Sequence, residues 1–220
     1  MSFSSKLKES IKDFHLLDHP FYQAWNRGEL SKETLEYYAS QYYHHVEAFP
    51  RYISATHSLC KDSKARKLLL ENLMDEEGVN SRPHPELWME FSRALGCDET
   101  QVQNSSQKEI QDVISTFMGQ SRSSYERGLA ALYAYEYQVP EVAETKIEGL
   151  QKHFGVTSEK GLSFFKVHQR ADVYHREACE QILDQMDPDK QQEALEAAQV
   201  AAKSLWNFLT QVYERETQLH

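Results

Sequence analysis

From Phe3 to Val212 the apolar residues of this chain recur at three- and four-residue spacings, and no stretch shows a sustained apolar–polar alternation. The first pattern is that of helices with one buried face, and the second is the one a half-buried strand needs. Eight glycines and six prolines punctuate 220 residues, too few for the many tight turns of a sheet protein. The expectation is an all-α fold: one domain over residues 1–220, a compact bundle of about eight to ten helices.

Stripes and stop signals place the helices. The first should run from about Phe3 to Asp18 on Leu7, Ile11, Phe14 and Leu17. His19-Pro20 interrupts it, and a short turn carrying Phe21, Tyr22 and Trp25 leads to Gly28. Ser31 is a candidate N-cap for a helix through Leu35, Tyr38, Tyr42, His45 and Phe49, which Pro50 should kink or break before about Cys60. Asp62 or Ser63 opens the next, closed at Gly78, and another begins at His84-Pro85 and stops at Gly96. Residues 96–105 read as a polar loop, followed by a capping box at Ser106 and Glu109. A long pattern from Ser123 to Phe154 should break at Pro140, Ser158 to Met186 form one helix, and Asp187-Pro188 start the last.

The helix from Ser158 carries His168, Asp172 and His175 at i, i+4 and i+7, positions that share one face at about 100° per residue. The face continues through Phe165, Cys179, Ile182 and Met186, so it points inward. Two imidazoles and a carboxylate are costly to bury without partners, and a metal ion is the simplest one. The plain alternative is a helix whose His and Asp satisfy each other. Glu136 interrupts the apolar stripe Leu129, Leu132, Ala143, Ile147, Leu150 and must be paired, neutralised or metal-bound. Pro140 lacks the amide that would bond the carbonyl of residue 136, a helix defect beside a buried acid. Glu76 follows Leu69 and Leu73 at helical spacing, and Glu77 follows Leu70, Leu73 and Met74 equally well, so periodicity leaves the two open. His84 heads its helix in line with Trp88 and Phe91, where a satisfied core histidine is the ordinary reading.

Taken together, Glu76 (or Glu77), His84, Glu136, His168, Asp172 and His175 offer three carboxylates and three imidazoles. That exceeds the four ligands of a structural zinc and needs no thiolate. Mixed His/carboxylate ligation suits iron or manganese, and six ligands suit two ions, iron with iron or iron with manganese, with positions left for dioxygen. The ferritin-type Glu-x-x-His does not occur in the chain.

Charge narrows the partners. With 34 acidic and 24 basic residues the formal charge is −10, which speaks against a nucleic-acid binder. No apolar run reaches membrane-spanning length, no secretory pattern opens the chain, and three dispersed cysteines give no disulfide framework, so the expected compartment is the cytoplasm.

The runs Phe21–Leu30 (FYQAWNRGEL), Ala65–Glu77 (ARKLLLENLMDEE) and Ala131–Pro140 (ALYAYEYQVP), with the His168–His175 motif, resemble the family of the chlamydial protein associating with death domains, over nearly the whole chain. That family has the heme-oxygenase-like all-α fold, alongside the thiaminase II and pyrroloquinoline-quinone oxidase families. The resemblance implies a non-heme dimetal oxygenase with ligands at Glu76, His84, Glu136, His168, Asp172 and His175, favouring Glu76 over Glu77. It implies formation of para-aminobenzoate for folate, with dioxygen and an external reductant, in which Tyr22 supplies the ring and Lys146 the amino group, with turnover near one per chain. Tyr135 and Tyr38 are further tyrosines for electron relay or cavity lining, and a homodimer is expected. Two alternatives stand beside this reading: a dimetal oxygenase with an external small-molecule substrate, and a helical protein that binds a protein partner.

Overall fold

Capping side chains and left-handed glycines set most of the helix boundaries. The computed structural model describes residues 1–218, apart from the side chains of residues 170–175. Its α-helices are α1 Phe3–Ser10, α2 Pro20–Arg27, α3 Lys32–Leu59, α4 Ser63–Glu76, α5 His84–Leu95, α6 Glu99–Asn104, α7 Lys108–Ser123, α8 Tyr125–Glu136, α9 Val139–Lys152, α10 Glu159–Asp184 and α11 Pro188–Gln218. Ten of them have seven residues or more, and the described residues contain no strand. Ser31, Asp62 and Ser158 each accept a hydrogen bond from the amide three residues on, capping α3, α4 and α10. Gly28 and Gly96 end α2 and α5 at φ of 70° and 100°, where a side chain would strain the backbone.

Four expectations are corrected. The first helix stops at Ser10, and two 3-10 turns carry the chain from Lys12 to Asp18. The reason is distant in sequence: the Leu16 amide donates to Gln138 Oε1 at 2.7 Å, outside any continuing helix. The same Gln138 donates through Nε2 to the Ala134 carbonyl at 2.9 Å, so the break between α8 and α9 falls at residues 137–138 and Pro140 sits in the first turn of α9. Residues 99–104 form α6, capped by Asp98 and anchored by buried Val102. The Ser106 capping box does not form, because Gln41 Oε1 accepts the Gln107 amide at 2.8 Å and α7 starts at Lys108.

Pro50 lies inside α3, which nevertheless runs unbroken to Leu59. Packing outweighs the lost backbone bond, because α3 lies against α4, α5, α7 and α8 and buries residues along its whole length. α10 packs on α5 and α9, and α8 is held by α11 on one side and α7 on another. Trp25, Trp88, Tyr38, Tyr52 and Tyr133 are fully buried, each burial contributing roughly 2–3 kcal/mol before entropy is counted. No helix is long and apolar enough to cross a membrane among the described residues.

Candidate metal centre and tyrosine cluster

Four elements bring acid and imidazole groups to one point. Glu76 is the last residue of α4, His84 the first of α5, Glu136 the last of α8, and His168 lies in the middle of α10. All four are buried, whereas Glu77 is exposed. One donor atom from each of Glu76, His84 and His168 falls within 4.8 Å of the others. Asp172 and His175 lie outside the described residues.

Each imidazole sits against another polar group. His84 Nδ1 lies 2.7 Å from Glu76 Oε2, close enough for an ion pair. Burial works against charging His84, yet the adjacent Glu76 carboxylate outweighs it and raises the pKa. His168 Nδ1 donates to the Phe164 carbonyl at 2.7 Å. A carbonyl only accepts, so the proton sits on Nδ1 and Nε2 keeps its lone pair, the tautomer a ligating histidine needs. Burial, then the neighbouring His84, push its pKa down to about 3, keeping the ring neutral.

Glu136 accepts from Asn72 Nδ2 at 2.7 Å through Oε1, while buried Oε2 has no hydrogen-bond partner. Burial pushes this carboxyl up to about 8; the Asn72 bond opposes the rise and the charge of Glu76 adds to it. A buried carboxylate oxygen that has no partner among the described residues, in the field of the acid that stands with the two imidazoles, fits a divalent cation better than it fits a dry core. Sequence reasoning missed Asn72, although its place four residues before Glu76, on the same helix face, was a usable signal.

Beside this group is a cluster of phenols around one amine. Lys146, on α9, is buried, and its Nζ donates to Tyr38 Oη at 2.6 Å. The same nitrogen lies 5.6 Å from the centroid of Tyr22, 5.3 Å from that of Tyr42 and 5.3 Å from that of Trp88. Burial alone lowers the Lys146 pKa to about 7. The Tyr38 and Tyr42 rings lie 5.3 Å apart, centroid to centroid, and burial raises the pKa of Tyr22, Tyr38 and Tyr42. A cavity of about 20 Å³, near the volume of one water, is bounded by Tyr22, Tyr42, Tyr135, Lys146, Phe164 and His168. The tyrosines, the amine and one imidazole of the donor set therefore share a single small space.

Known proteins are similar to this chain over nearly its whole length. A family described as iron-containing redox enzymes matches residues 36–206. A 4-aminobenzoate synthase of Chlamydia muridarum is 41% identical over 100% of this chain and 94% of that protein. A 4-aminobenzoate synthase of Nitrosomonas europaea is 38% identical over 97% of this chain and 92% of that protein. A TenA homologue from Pseudomonas syringae superposes with a TM-score of 0.83 at 17% identity, covering 96% of this chain and 93% of that one, a likeness of fold.

Proposed function

The chain belongs to the family of iron-containing redox enzymes, and from that premise we propose that it forms 4-aminobenzoate, taking the ring from its own Tyr22 and the nitrogen from Lys146. The product differs from a tyrosine side chain in two places. An amino group replaces the hydroxyl, and a carboxylate stands where Cβ stood. The ring must therefore exchange C–O for C–N and be cut between Cα and Cβ, with Cβ oxidised. Dioxygen is the electron acceptor.

The observation that carries this reading is the position of Lys146. A lysine that forms a C–N bond must be neutral at some stage, and burial brings its pKa to about 7 while Nζ is held 5.6 Å from the Tyr22 ring. Tyr38 orients that nitrogen from below through its phenol oxygen at 2.6 Å. The walls at Phe164 and Phe165 keep bulk water from the amine. A cavity of about 20 Å³ accepts a diatomic gas but not an external aromatic or fatty substrate, which favours a ring already present in the protein.

Glu76, His84, Glu136 and His168 would hold metal, joined by Asp172 and His175, and the donor count suits two ions, iron with iron or iron with manganese. Iron bound there supplies dioxygen chemistry and one-electron oxidation, sustained by an external reductant. The proton stays on Nδ1 of His168, donated in a hydrogen bond to the Phe164 carbonyl, so that ring serves as a ligand and not as an acid.

Intact-mass spectrometry before and after addition of ferrous iron, reductant and oxygen tests the reading. Loss of the side-chain mass at Tyr22 with release of 4-aminobenzoate is expected, and Tyr22→Phe should abolish product while metal content is kept. An intact Tyr22 after repeated oxygen uptake would overturn it in favour of an external substrate.

A further inference from the structure

The phenols of Tyr38 and Tyr42 are not the last polar groups buried along α3. Tyr38, Tyr42, His45, Phe49, Tyr52 and Thr56 succeed one another at spacings of four and three residues and so form one continuous stripe of that helix. Its upper half belongs to the cluster around Lys146. Its lower half, His45, Tyr52 and Thr56, has no part in the mechanism above, yet all three residues are wholly buried.

These residues leave their polar atoms unmet. Among the described residues both ring nitrogens of His45, the Tyr52 hydroxyl and the Thr56 hydroxyl have no hydrogen-bond partner, and the buried Ser121 hydroxyl of α7 has none either. The groups are contiguous. The His45 ring lies 5.3 Å from the Tyr42 ring, 5.3 Å from the Tyr135 ring and 5.7 Å from the Tyr52 ring, centroid to centroid. Thr56 and Ser121 meet at Gly128, where an added Cβ would lie 2.3 Å from Thr56 Oγ1 and 3.1 Å from the Ser121 backbone. Ser121 is followed in α7 by exposed Arg122 and Ser123, so the surface of the protein begins one residue along the chain from the lower end of the seam.

Five dry, unsatisfied polar atoms along one seam would together cost an amount comparable to a domain's whole net stability. Polar atoms in such a row are the setting in which internal water is retained. We propose that His45, Tyr52, Thr56 and Ser121 line a file of internal water between α3, α7 and α8 that carries protons from the tyrosine cluster to the surface.

The proposal rests on the reading that the cluster's phenols are oxidised. When Tyr42 gives up one electron to the oxidised iron of the proposed activity, its O–H proton must leave, because the deprotonated radical is the stable form. Neutral His45 accepts that proton on one nitrogen, directly after a small ring rotation or through one water, and releases the proton of its other nitrogen into the file. Tyr52, Thr56 and Ser121 pass the excess proton by exchange, each hydroxyl accepting one and donating one. No net charge stays in the core, and Gly128 is the residue whose missing side chain lets Thr56 and Ser121 approach each other.

Two measurements decide it. In metal-free protein labelled with nitrogen-15 at histidine, the His45 ring N–H should show fast exchange with water, slowed at least tenfold by Thr56→Val or by Gly128→Ala. In iron-loaded protein under oxygen, Tyr52→Phe and Thr56→Val should each slow 4-aminobenzoate release at least fivefold with metal content unchanged. Slow His45 exchange in the unmodified protein overturns the proposal, as does a rise in melting temperature in Thr56→Val, the mark of a dry hydroxyl. Wild-type release rates in both Tyr52→Phe and Thr56→Val overturn it as well. If the unmodified protein makes no 4-aminobenzoate, the proposed function fails, while the exchange measurement still decides whether the file is wet.

Discussion

Lys146 on α9 donates to the phenol oxygen of Tyr38 on α3 across 2.6 Å, deep in the core. Burial lowers its pKa to about 7, so the protonated form is held at a loss. That loss has a measurable signature in stability.

Lys146→Met should stabilise the protein. The amine releases its proton at about 7 in the fold but near the ordinary lysine value when unfolded, so between those limits the unfolded chain binds the extra proton. Stability therefore rises with pH across that window, and the penalty is complete only below it. The variant should gain on the order of 2–4 kcal/mol at pH 6, with the gain vanishing toward pH 10.5, as read by urea denaturation.

Glu136 gives the opposite slope in metal-free protein. Its carboxyl, pushed up to about 8, keeps a proton that the unfolded chain has released, so stability falls as pH rises from the usual carboxylate range through about 8. Glu136→Gln should abolish that fall and be more stable at pH 8.5 by about 1–3 kcal/mol. The same variant should lose most of the gain in melting temperature that ferrous iron gives the unmodified protein, measured by calorimetry with and without a chelator.

Two glycines should respond to alanine with opposite signs. At Gly149 an added Cβ would lie 2.3 Å from Trp25 Nε1, and overpacking there should destabilise by about 1–3 kcal/mol. At Gly119, within α7, nothing lies within 4 Å of the added carbon, and the variant should gain up to about 1 kcal/mol. Thermal melts of both report the difference.

His19 should act as a cap. Its Nδ1 accepts the Phe21 amide at 3.0 Å, and Nε2 pairs with Thr210 Oγ1 at 3.0 Å, fixing the start of the helix that carries Tyr22. His19→Ala should cost about 1–2 kcal/mol, and His19→Asn should restore most of it, since Asn caps by the same geometry. Burial holds the ring's pKa down to about 4, so stability due to neutral His19 should decline as pH falls from the ordinary histidine value through about 4.

Much of this architecture was legible because helical periodicity is local. The stripes through Leu69 and Leu73, through Trp88 and Phe91, and through Leu129 and Leu132 place Glu76, His84 and Glu136 on buried faces, where the structure has them. Periodicity left Glu76 and Glu77 equal. The fold separates them because α4 ends at Glu76 and the chain turns, sending Glu77 to solvent. What escaped the sequence depends on partners far along the chain. Gln138 ends the first helix by taking the Leu16 amide, and Gln41 displaces the capping box at Ser106 by taking the Gln107 amide. His45 was read as one more residue of an inward stripe, since nothing local tells a bonded imidazole from one left without partners.

Tyr22 is 2% exposed, wedged between the rings of Phe21 and Trp25 and the amine of Lys146. On the reading proposed here, a chain that surrenders that ring keeps its backbone and loses the wedge. A hole the size of a phenol in a packed core lowers stability by roughly 3–5 kcal/mol, a large share of what holds a domain folded. Spent molecules would then open more often than fresh ones and meet proteases first, so the reaction that ends a molecule's usefulness would also schedule its removal.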